Sequence, residues 1–75
     1  MVGTVALDAQ GLLCPLPVLR ARKAMKALQT GDLLEVLATD PGAVEDFAAF
    51  CNTSGDALVE SSETDGVYRF LICKA

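Results

Sequence analysis

The apolar segments of this 75-residue chain switch between strand-like and helix-like patterns, and the order of these switches limits the possible folds more than any other feature. Short apolar runs typical of strands come first, third, fifth and sixth, and segments with apolar residues at helical spacing come second and fourth. The strand-like runs are residues 4–7, 33–39, 57–63 and 67–74, and the helix-like segments are residues 15–28 and a stretch that starts at Asp40. The sequence therefore predicts the order βαβαββ.

Capping residues support both helices. Gly31 follows the first helix-like segment and suits a left-handed C-cap. Asp40 is a strong N-cap residue for the second helix, and Pro41 fits the first helical position. The stripes expected to face the core are Val18, Ala21, Met25 and Leu28 in the first helix and Val44, Phe47, Ala48 and Cys51 in the second.

The connections predict how the strands pair. Each strand–helix–strand unit implies a parallel pair, because a crossover helix returns the chain to the same end of the sheet. Asp65-Gly66 lies between the last two strand-like runs and predicts a hairpin. We expect a single domain over residues 1–75, an α+β two-layer sandwich with two helices on one face of a mixed four-stranded sheet of order 1-2-4-3.

Composition excludes several classes of protein. The chain has no histidine, so it lacks the usual general base and the commonest metal ligand, and we expect neither a metal nor a cofactor. A net charge of −4 disfavours stable binding of nucleic acid. The sequence shows no apolar run of about 18 residues and no signal-peptide pattern, and its three cysteines cannot all pair. We therefore expect a cytoplasmic protein that does not bind membranes.

Residues 11–17 read GLLCPLP and place a thiol directly before two prolines. If Pro15 takes the first helical position and Pro17 the third, neither proline removes a helical hydrogen bond, and Cys14 becomes the N-cap residue. Gly11 would let the loop bend, and the helix dipole would lower the pKa of the thiol below about 8.5. The pattern predicts a stiffly presented, activated thiol, but a hydrophobic loop cysteine beside ordinary helix-start prolines fits it too.

The other cysteines offer no resolving partner for Cys14. No second cysteine lies within a few residues, which disfavours a Cys-x-x-Cys exchanger. Cys51 falls on the expected core stripe, and nothing around Cys73 suggests chemistry. Asp8 and Asp40 follow strands whose carboxyl ends share an edge of the sheet with Cys14, and ligand sites prefer that edge. A lone thiolate at this edge suits a carrier that accepts a group and hands it to another protein.

The stretch LDAQGLLCPLPVLRARKAM resembles the signature of the TusA/SirA family, small sulfur carriers with a Cys-Pro-x-Pro motif. TDP before the second helix, FC late in that helix and ETDG in the hairpin also resemble this family, in the same order, and the likeness covers nearly the whole chain. The resemblance implies a βαβαββ two-layer sandwich, in agreement with the pattern of strands and helices.

The resemblance also implies a function. Cys14 would take sulfane sulfur from a cysteine desulfurase or a rhodanese-like donor and relay it as a persulfide to an acceptor protein. The sulfur would feed tRNA 2-thiouridine synthesis, sulfur oxidation or molybdenum-cofactor supply. Thiolate attack on a persulfide requires neither metal nor histidine. The sequence leaves open whether the chain is strictly an enzyme and favours a carrier-type sulfurtransferase, with Gly11, Pro15, Pro17 and Asp40 positioning the motif.

Two motif positions depart from the family pattern and bear on the choice of partner. Leu16 stands where the tRNA-linked branch often has an acidic residue, and Leu13 stands where a basic one is often found. Four cations of the first helix are either a docking face for an acidic partner or a solvated face favoured by the helix dipole. They are Arg20, Arg22, Lys23 and Lys26. The resemblance links Arg22 with partner contact, and it adds partner contact or modulation of the thiol to the capping role of Asp40.

Two other functions stay open on the sequence alone. One is a redox-regulatory or selenium-linked relative in which Cys14 is oxidised reversibly. The other is a non-catalytic interaction module such as a small RNA-binding domain, which only a likeness of fold supports. The acidic net charge and the small number of aromatic residues, one tyrosine and three phenylalanines, weigh against RNA binding.

Overall fold

A computed structural model describes residues 3–75 and contains six elements in the predicted order. They are β1 (Thr4–Ala9), α1 (Leu16–Met25), β2 (Leu33–Ala38), α2 (Ala43–Ser54), β3 (Ala57–Thr64) and β4 (Val67–Cys73). The sheet has the order β1-β2-β4-β3, in which β1 and β2 are parallel and β4 is antiparallel to both of its neighbours. The α+β two-layer sandwich and its strand order are therefore confirmed.

The start of α1 differs from the prediction. Pro15 is the N-cap residue and Leu16 the first helical residue, so Pro17 takes the second helical position. Cys14 therefore lies two residues before the helix, and its prediction as the N-cap was wrong. The reason is a separate turn, in which the Leu16 N–H donates to the Leu13 carbonyl at 2.9 Å. Cys14 is thus displayed on a loop and is not fixed by the first turn of α1.

The end of α1 also differs, because the helix tightens after Met25. The N–H groups of residues 26–28 donate to carbonyls three residues back, at 3.1–3.3 Å, and the Lys74 ammonium donates to the Met25 carbonyl at 2.8 Å. Gly31 has a positive φ of 92°, but it lies in the following loop, where its N–H donates to the Lys74 carbonyl. Its prediction as the C-cap of α1 was wrong.

The start of α2 is shifted in the same sense. Gly42 is the N-cap residue, and Asp40 and Pro41 form a turn before the helix, which the Ala43 N–H closes on the Asp40 carbonyl at 3.0 Å. The predictions of Asp40 as the N-cap and Pro41 as the first helical residue were wrong. The Asp40 carboxylate still stabilises this turn, because its Oδ1 accepts the Gly42 N–H at 3.0 Å.

This shift rotates the core face of α2. Ala43, Phe47 and Cys51 are buried, whereas Val44 and Ala48 are exposed. The buried residues are four apart and begin at the first helical residue, so the preceding turn sets which face meets the sheet. The prediction was right for Phe47 and Cys51 and wrong for Val44 and Ala48.

The core lies between the two helices and the face of the sheet that they cover. The Phe47 ring of α2 stacks on the Phe70 ring of β4, with ring centroids 4.5 Å apart. The fully or almost fully buried apolar residues are Ala9, Pro17, Ala21, Met25, Leu34, Val36, Ala38, Ala43, Phe47, Cys51, Phe70 and Ile72. The predicted hairpin is confirmed, since Asp65 and Gly66 both have positive φ, as its tight turn requires.

Replacement of Phe47 tests this packing. Phe47→Ala removes a buried ring that stacks on Phe70, and we expect it to lower the free energy of unfolding by about 3–5 kcal/mol. Val44→Ala on the same helix is the control, because Val44 is 41% exposed and its loss is expected to cost about 0.5 kcal/mol. Urea unfolding followed by circular dichroism measures both values. Equal losses in the two variants would contradict the described core face of α2.

Candidate functional site

The candidate site lies where the loops that follow β1 and β2 meet. These strands are parallel and end side by side at Ala9 and Ala38, so both loops leave the same edge of the sheet. The Gly11 N–H donates to the Thr39 hydroxyl at 2.9 Å, and Gly11 has the positive φ, 79°, that the expected bend requires. The edge predicted from the sequence is thus the edge at which Cys14 lies.

Asp40 joins the two loops. Its Oδ2 accepts the Cys14 N–H at 2.5 Å, while its Oδ1 holds Gly42. These hydrogen bonds, first that of Cys14 and then that of Gly42, lower the pKa of the Asp40 carboxyl below its usual range. The group therefore stabilises the fold at pH values above about 3.9, its ordinary pKa, and this contribution is lost as the pH falls through the lower folded value. At neutral pH the carboxylate is ionised and the anchor is intact.

The Cys14 side chain lies against the start of α2. Its Sγ donates a hydrogen bond to the Asp46 carboxylate, which belongs to the first turn of that helix. A Cβ placed on Gly42 would lie 3.4 Å from the Cys14 Cβ and 3.6 Å from its Sγ, so the thiol rests on the helix backbone. The thiol therefore meets the N-terminus of the second helix, although in sequence it precedes the first.

The thiol is not activated in this arrangement, contrary to the prediction. The pKa of Cys14 is raised to about 11, first by the hydrogen bond to Asp46, then by reduced solvation and by the negative charges of Asp46 and Asp40. A hydrogen bond donated by a thiol stabilises its neutral form, and nearby carboxylates oppose a thiolate. These effects outweigh the partial positive charge of a helix N-terminus.

Sequence reasoning missed Asp46 as a member of the site. From the sequence pattern alone, Asp46 is an acidic residue in the first turn of a helix, where the helix dipole favours a negative charge. Its contact with Cys14 depends on the packing of the α1 loop over α2, which no local pattern encodes. The only available signal was its place about one and a half turns after Asp40, the residue predicted to share the edge with Cys14.

The motif residues around Cys14 have different surroundings. Leu13 is 73% exposed and Leu16 is 43% exposed, so the side chains beside the thiol present an apolar surface. Pro15 is exposed and is joined to Cys14 by a cis peptide bond. Pro17 is fully buried and therefore packs in the core, a role that its expected position at the helix start did not include.

A groove of about 450 Å³ runs between the two helices beside Cys14. Arg22 lies on the α1 wall, while Asp46 and the half-buried Phe50 lie on the α2 wall. The remaining lining residues are Pro15, Val18, Ala49, Thr53 and Ser54. All four cations of α1 are exposed, and Arg22 is the one that lines this groove.

The three cysteines differ in accessibility. Cys14 is exposed, Cys51 is 6% exposed and Cys73 is half-buried, and none is in a disulfide. Burial raises the pKa of the Cys51 thiol, with a smaller contribution from the charge of Asp56. Within residues 3–75 there is no group of three or more cysteine, aspartate or glutamate residues arranged to hold a metal ion. In the same part of the chain no helix has the length and apolar character needed to cross a membrane.

Comparison with known proteins agrees with this fold. The family described as sulfurtransferase TusA matches residues 5–74. A solved SirA-like protein of Desulfitobacterium hafniense has a similar structure, with a TM-score of 0.79, 30% identity and 96% of each chain covered. This chain belongs to the TusA family.

Curated relatives indicate what the family does. The chain is 54% identical over 69 residues to the sulfur carrier protein TusA of Allochromatium vinosum, which covers 92% of this chain and 91% of that one. It is 44% identical over 68 residues to a putative sulfur carrier protein of Bacillus subtilis, with 91% of both chains covered. The protein is a sulfur carrier, and its role therefore involves protein partners.

The raised pKa predicts how Cys14 reacts with a small alkylating agent. In a variant that combines Cys51→Ala and Cys73→Ser, the rate of alkylation by iodoacetamide is expected to rise with pH to a midpoint of about 11, because only the thiolate reacts. Mass spectrometry of samples quenched over time measures the rate. A midpoint at or below about 8.5, the value of a free thiol, would contradict the hydrogen-bonded arrangement with Asp46.

Proposed function

We propose that Cys14 carries the sulfur. It accepts sulfane sulfur from a cysteine desulfurase or a rhodanese-like donor, holds it as a persulfide and passes it to an acceptor protein. The observation that carries this proposal is the exposure of Cys14, in a sulfur carrier whose Cys51 is buried and whose Cys73 is half-buried. A partner's reactive cysteine must reach the carrier sulfur, and Cys14 offers that access.

The chemistry is an exchange between thiols. The Cys14 thiolate attacks the outer sulfur of the donor persulfide, a sulfur–sulfur bond forms at Cys14, and the bond within the donor breaks. The donor cysteine leaves as a thiolate and takes up the proton that Cys14 has lost. One sulfur atom moves, one thiol replaces another, and no external oxidant or reductant is consumed. Delivery is the same kind of step: the acceptor thiolate attacks the outer sulfur of the Cys14 persulfide, and Cys14 leaves as a thiolate.

Neighbouring residues support this role by fixing the loop. Asp40 holds the Cys14 backbone, and Gly11 provides the bend that leads to it. Pro17 is buried and anchors the motif in the core. The exposed Pro15 lies between this anchor and the exposed Cys14 thiol. These residues position the carrier sulfur and do not touch the sulfur that is transferred.

The surface around Cys14 is proposed to receive the partners. Leu13 and Leu16 give it an apolar rim, which suits a protein surface better than bulk water. The exposed α1 cations Arg20, Arg22, Lys23 and Lys26 would steer an acidic region of the donor or acceptor.

The destination of the sulfur is one of three related pathways. They are tRNA 2-thiouridine synthesis, sulfur oxidation and molybdenum-cofactor supply, each of which consumes sulfane sulfur delivered by proteins. We place the relay in the cytoplasm, where free thiols persist. In this proposal residues 1–75 act as one domain, without a metal, a cofactor or a stable complex with nucleic acid.

Intact-mass spectrometry tests the carrier residue. After incubation with a cysteine desulfurase and cysteine, or with a rhodanese and thiosulfate, the protein is expected to gain one sulfur atom, about 32 Da, which a thiol reductant removes. Cys14→Ser is expected to abolish the gain, since a hydroxyl oxygen does not hold sulfane sulfur.

Cys51→Ala and Cys73→Ser are the matched controls and are expected to keep the added sulfur. Label that persists in Cys14→Ser would place the carrier sulfur elsewhere. No label from either donor system, combined with reversible oxidation of Cys14 by peroxide, would favour the redox alternative.

A further inference from the structure

Sulfur transfer and the hydrogen bond seen in the free protein favour different protonation states of Cys14. Sulfur transfer requires a thiolate, because the thiolate is the nucleophile in exchange at a persulfide. The free protein instead has a thiol that donates a hydrogen bond to the Asp46 carboxylate and so keeps its proton. A change in the surroundings of Cys14 that breaks this hydrogen bond would therefore speed transfer.

The charged groups that face Cys14 come from three elements. Asp46 lies on α2 and accepts a hydrogen bond from the Cys14 thiol. Asp40, on the preceding turn, accepts a hydrogen bond from the Cys14 N–H. Arg22 on α1 lines the groove that Asp46 also lines, but the two side chains do not form an ion pair. Across residues 3–75, the ion pairs are those that Arg69 makes with Glu35 and Glu60. Within residues 3–75, the Asp46 carboxylate thus has Cys14 as its side-chain hydrogen-bond donor and makes no ion pair.

We propose that Asp46 keeps Cys14 in its unreactive thiol form until a partner protein places a cationic side chain, lysine or arginine, against the Asp46 carboxylate. This inference rests on the proposed role of Cys14 as the sulfur carrier. Asp46 is a positioning residue in this account: it acts on Cys14 and does not touch the transferred sulfur.

Charge complementarity determines the kind of group that the partner brings. Two carboxylates, Asp40 and Asp46, flank the thiol, and the α2 wall carries the second of them at the rim of an open groove. Asp40 is already held by two backbone N–H groups, so Asp46 is the one available to a cation. A cation next to Asp46 competes for its oxygen lone pairs and cancels its charge, and both effects favour the thiolate.

The steps balance without an added reactant. The partner cation pairs with Asp46, the hydrogen bond from Cys14 breaks, and the thiol proton passes to solvent. The thiolate then attacks the outer sulfur of the donor persulfide, and the departing donor thiolate takes up a proton. When the partner leaves, a Cys14 that has delivered its sulfur is protonated again and returns to Asp46. The free carrier is thereby protected from small electrophiles and oxidants, which also require the thiolate.

The first test compares Asp46→Asn with Glu45→Gln in the background that lacks the other two thiols. Both variants lose one negative charge in the first turn of α2, but the Glu45 side chain has no hydrogen bond with Cys14. Asp46→Asn is expected to move the alkylation midpoint from about 11 toward about 8.5, the value of a free thiol. A lower pKa increases the fraction of thiolate, but a thiolate of lower pKa is also a weaker nucleophile. The two effects partly cancel, and the rate of alkylation at about pH 7.5 is expected to rise about fivefold to tenfold. Glu45→Gln is expected to change it by less than about twofold.

The second test uses reagents that differ only in charge. Two methanethiosulfonates, one with a trimethylammonium group and one with a sulfonate group, react with the Cys14 thiolate in the same way: a mixed disulfide forms, the sulfur–sulfur bond of the reagent breaks, and methanesulfinate leaves. We expect the cationic reagent to react faster with the wild-type thiol, and we expect this preference to fall at least about threefold in Asp46→Asn and to persist in Glu45→Gln. An equal preference in all three proteins would overturn the pairing of Asp46 with a cation.

The third measurement separates this inference from the proposed function. Loading of sulfur from a cysteine desulfurase is expected to change less than about twofold in Asp46→Asn, because the docked donor already neutralises Asp46 in the wild type. If the wild type takes no sulfur, the carrier role fails, whatever the alkylation rates are. If the wild type takes sulfur, the carrier role stands. The inference about Asp46 fails in that case if Asp46→Asn leaves the alkylation midpoint unchanged, or if it raises the loading of sulfur as much as the rate of alkylation.

Discussion

The carboxylate of Asp40 is the group on which the rest of the site depends. It bonds at once to the Cys14 N–H, on the loop after β1, and to the Gly42 N–H, on the turn after β2. The parallel pairing of β1 and β2 brings these loops to one edge of the sheet, but pairing alone leaves their conformations free. The carboxylate fixes one loop against the other and sets Cys14 on the N-terminus of α2.

That placement explains why the resting thiol is protonated in spite of the helix dipole. A helix N-terminus carries about half a positive charge, but α2 also brings the Asp46 carboxylate within hydrogen-bonding reach of Sγ. The full negative charge of Asp46, which accepts a hydrogen bond from the thiol, raises the pKa of Cys14 more than the partial positive charge of the backbone lowers it. The same helix therefore supplies both the electrostatic attraction for a thiolate and the group that prevents its formation, and only the second can be removed by an incoming cation. In the account that we propose, Cys14 reacts only at a docked partner, so the carrier does not lose this thiol to oxidants on the way.

The sequence predicted the parts of the fold that local patterns encode. Asp65-Gly66 predicted the hairpin of β3 and β4, and the first crossover predicted the parallel pair of β1 and β2. The second crossover gives no neighbouring pair, because β4 lies between β2 and β3, as the expected order 1-2-4-3 requires. The predicted helix starts were wrong by one residue for α1 and by two for α2, since the turns that precede Leu16 and Ala43 close on carbonyls that a capping rule does not consider. The exposed Cys14 and its edge of the sheet were predicted correctly. The pKa of Cys14 was not, because Asp46 reaches the thiol only through the packing of α2 against the α1 loop, a tertiary contact with no local signature.

The protonation state of Cys14 in the free and the docked carrier is the most direct test of this account. The ¹³Cβ resonance of a labelled cysteine distinguishes a thiol from a thiolate, and Cys51 and Cys73 serve as internal references. The measurement follows this resonance against pH in the free protein and in its complex with a cysteine desulfurase whose own persulfide cysteine is replaced by serine. The account predicts a titration midpoint of about 11 for Cys14 in the free protein and a midpoint at or below about 8.5, the value of a free thiol, in the complex. A Cys14 midpoint that stays at its free-protein value when the partner is bound would contradict it.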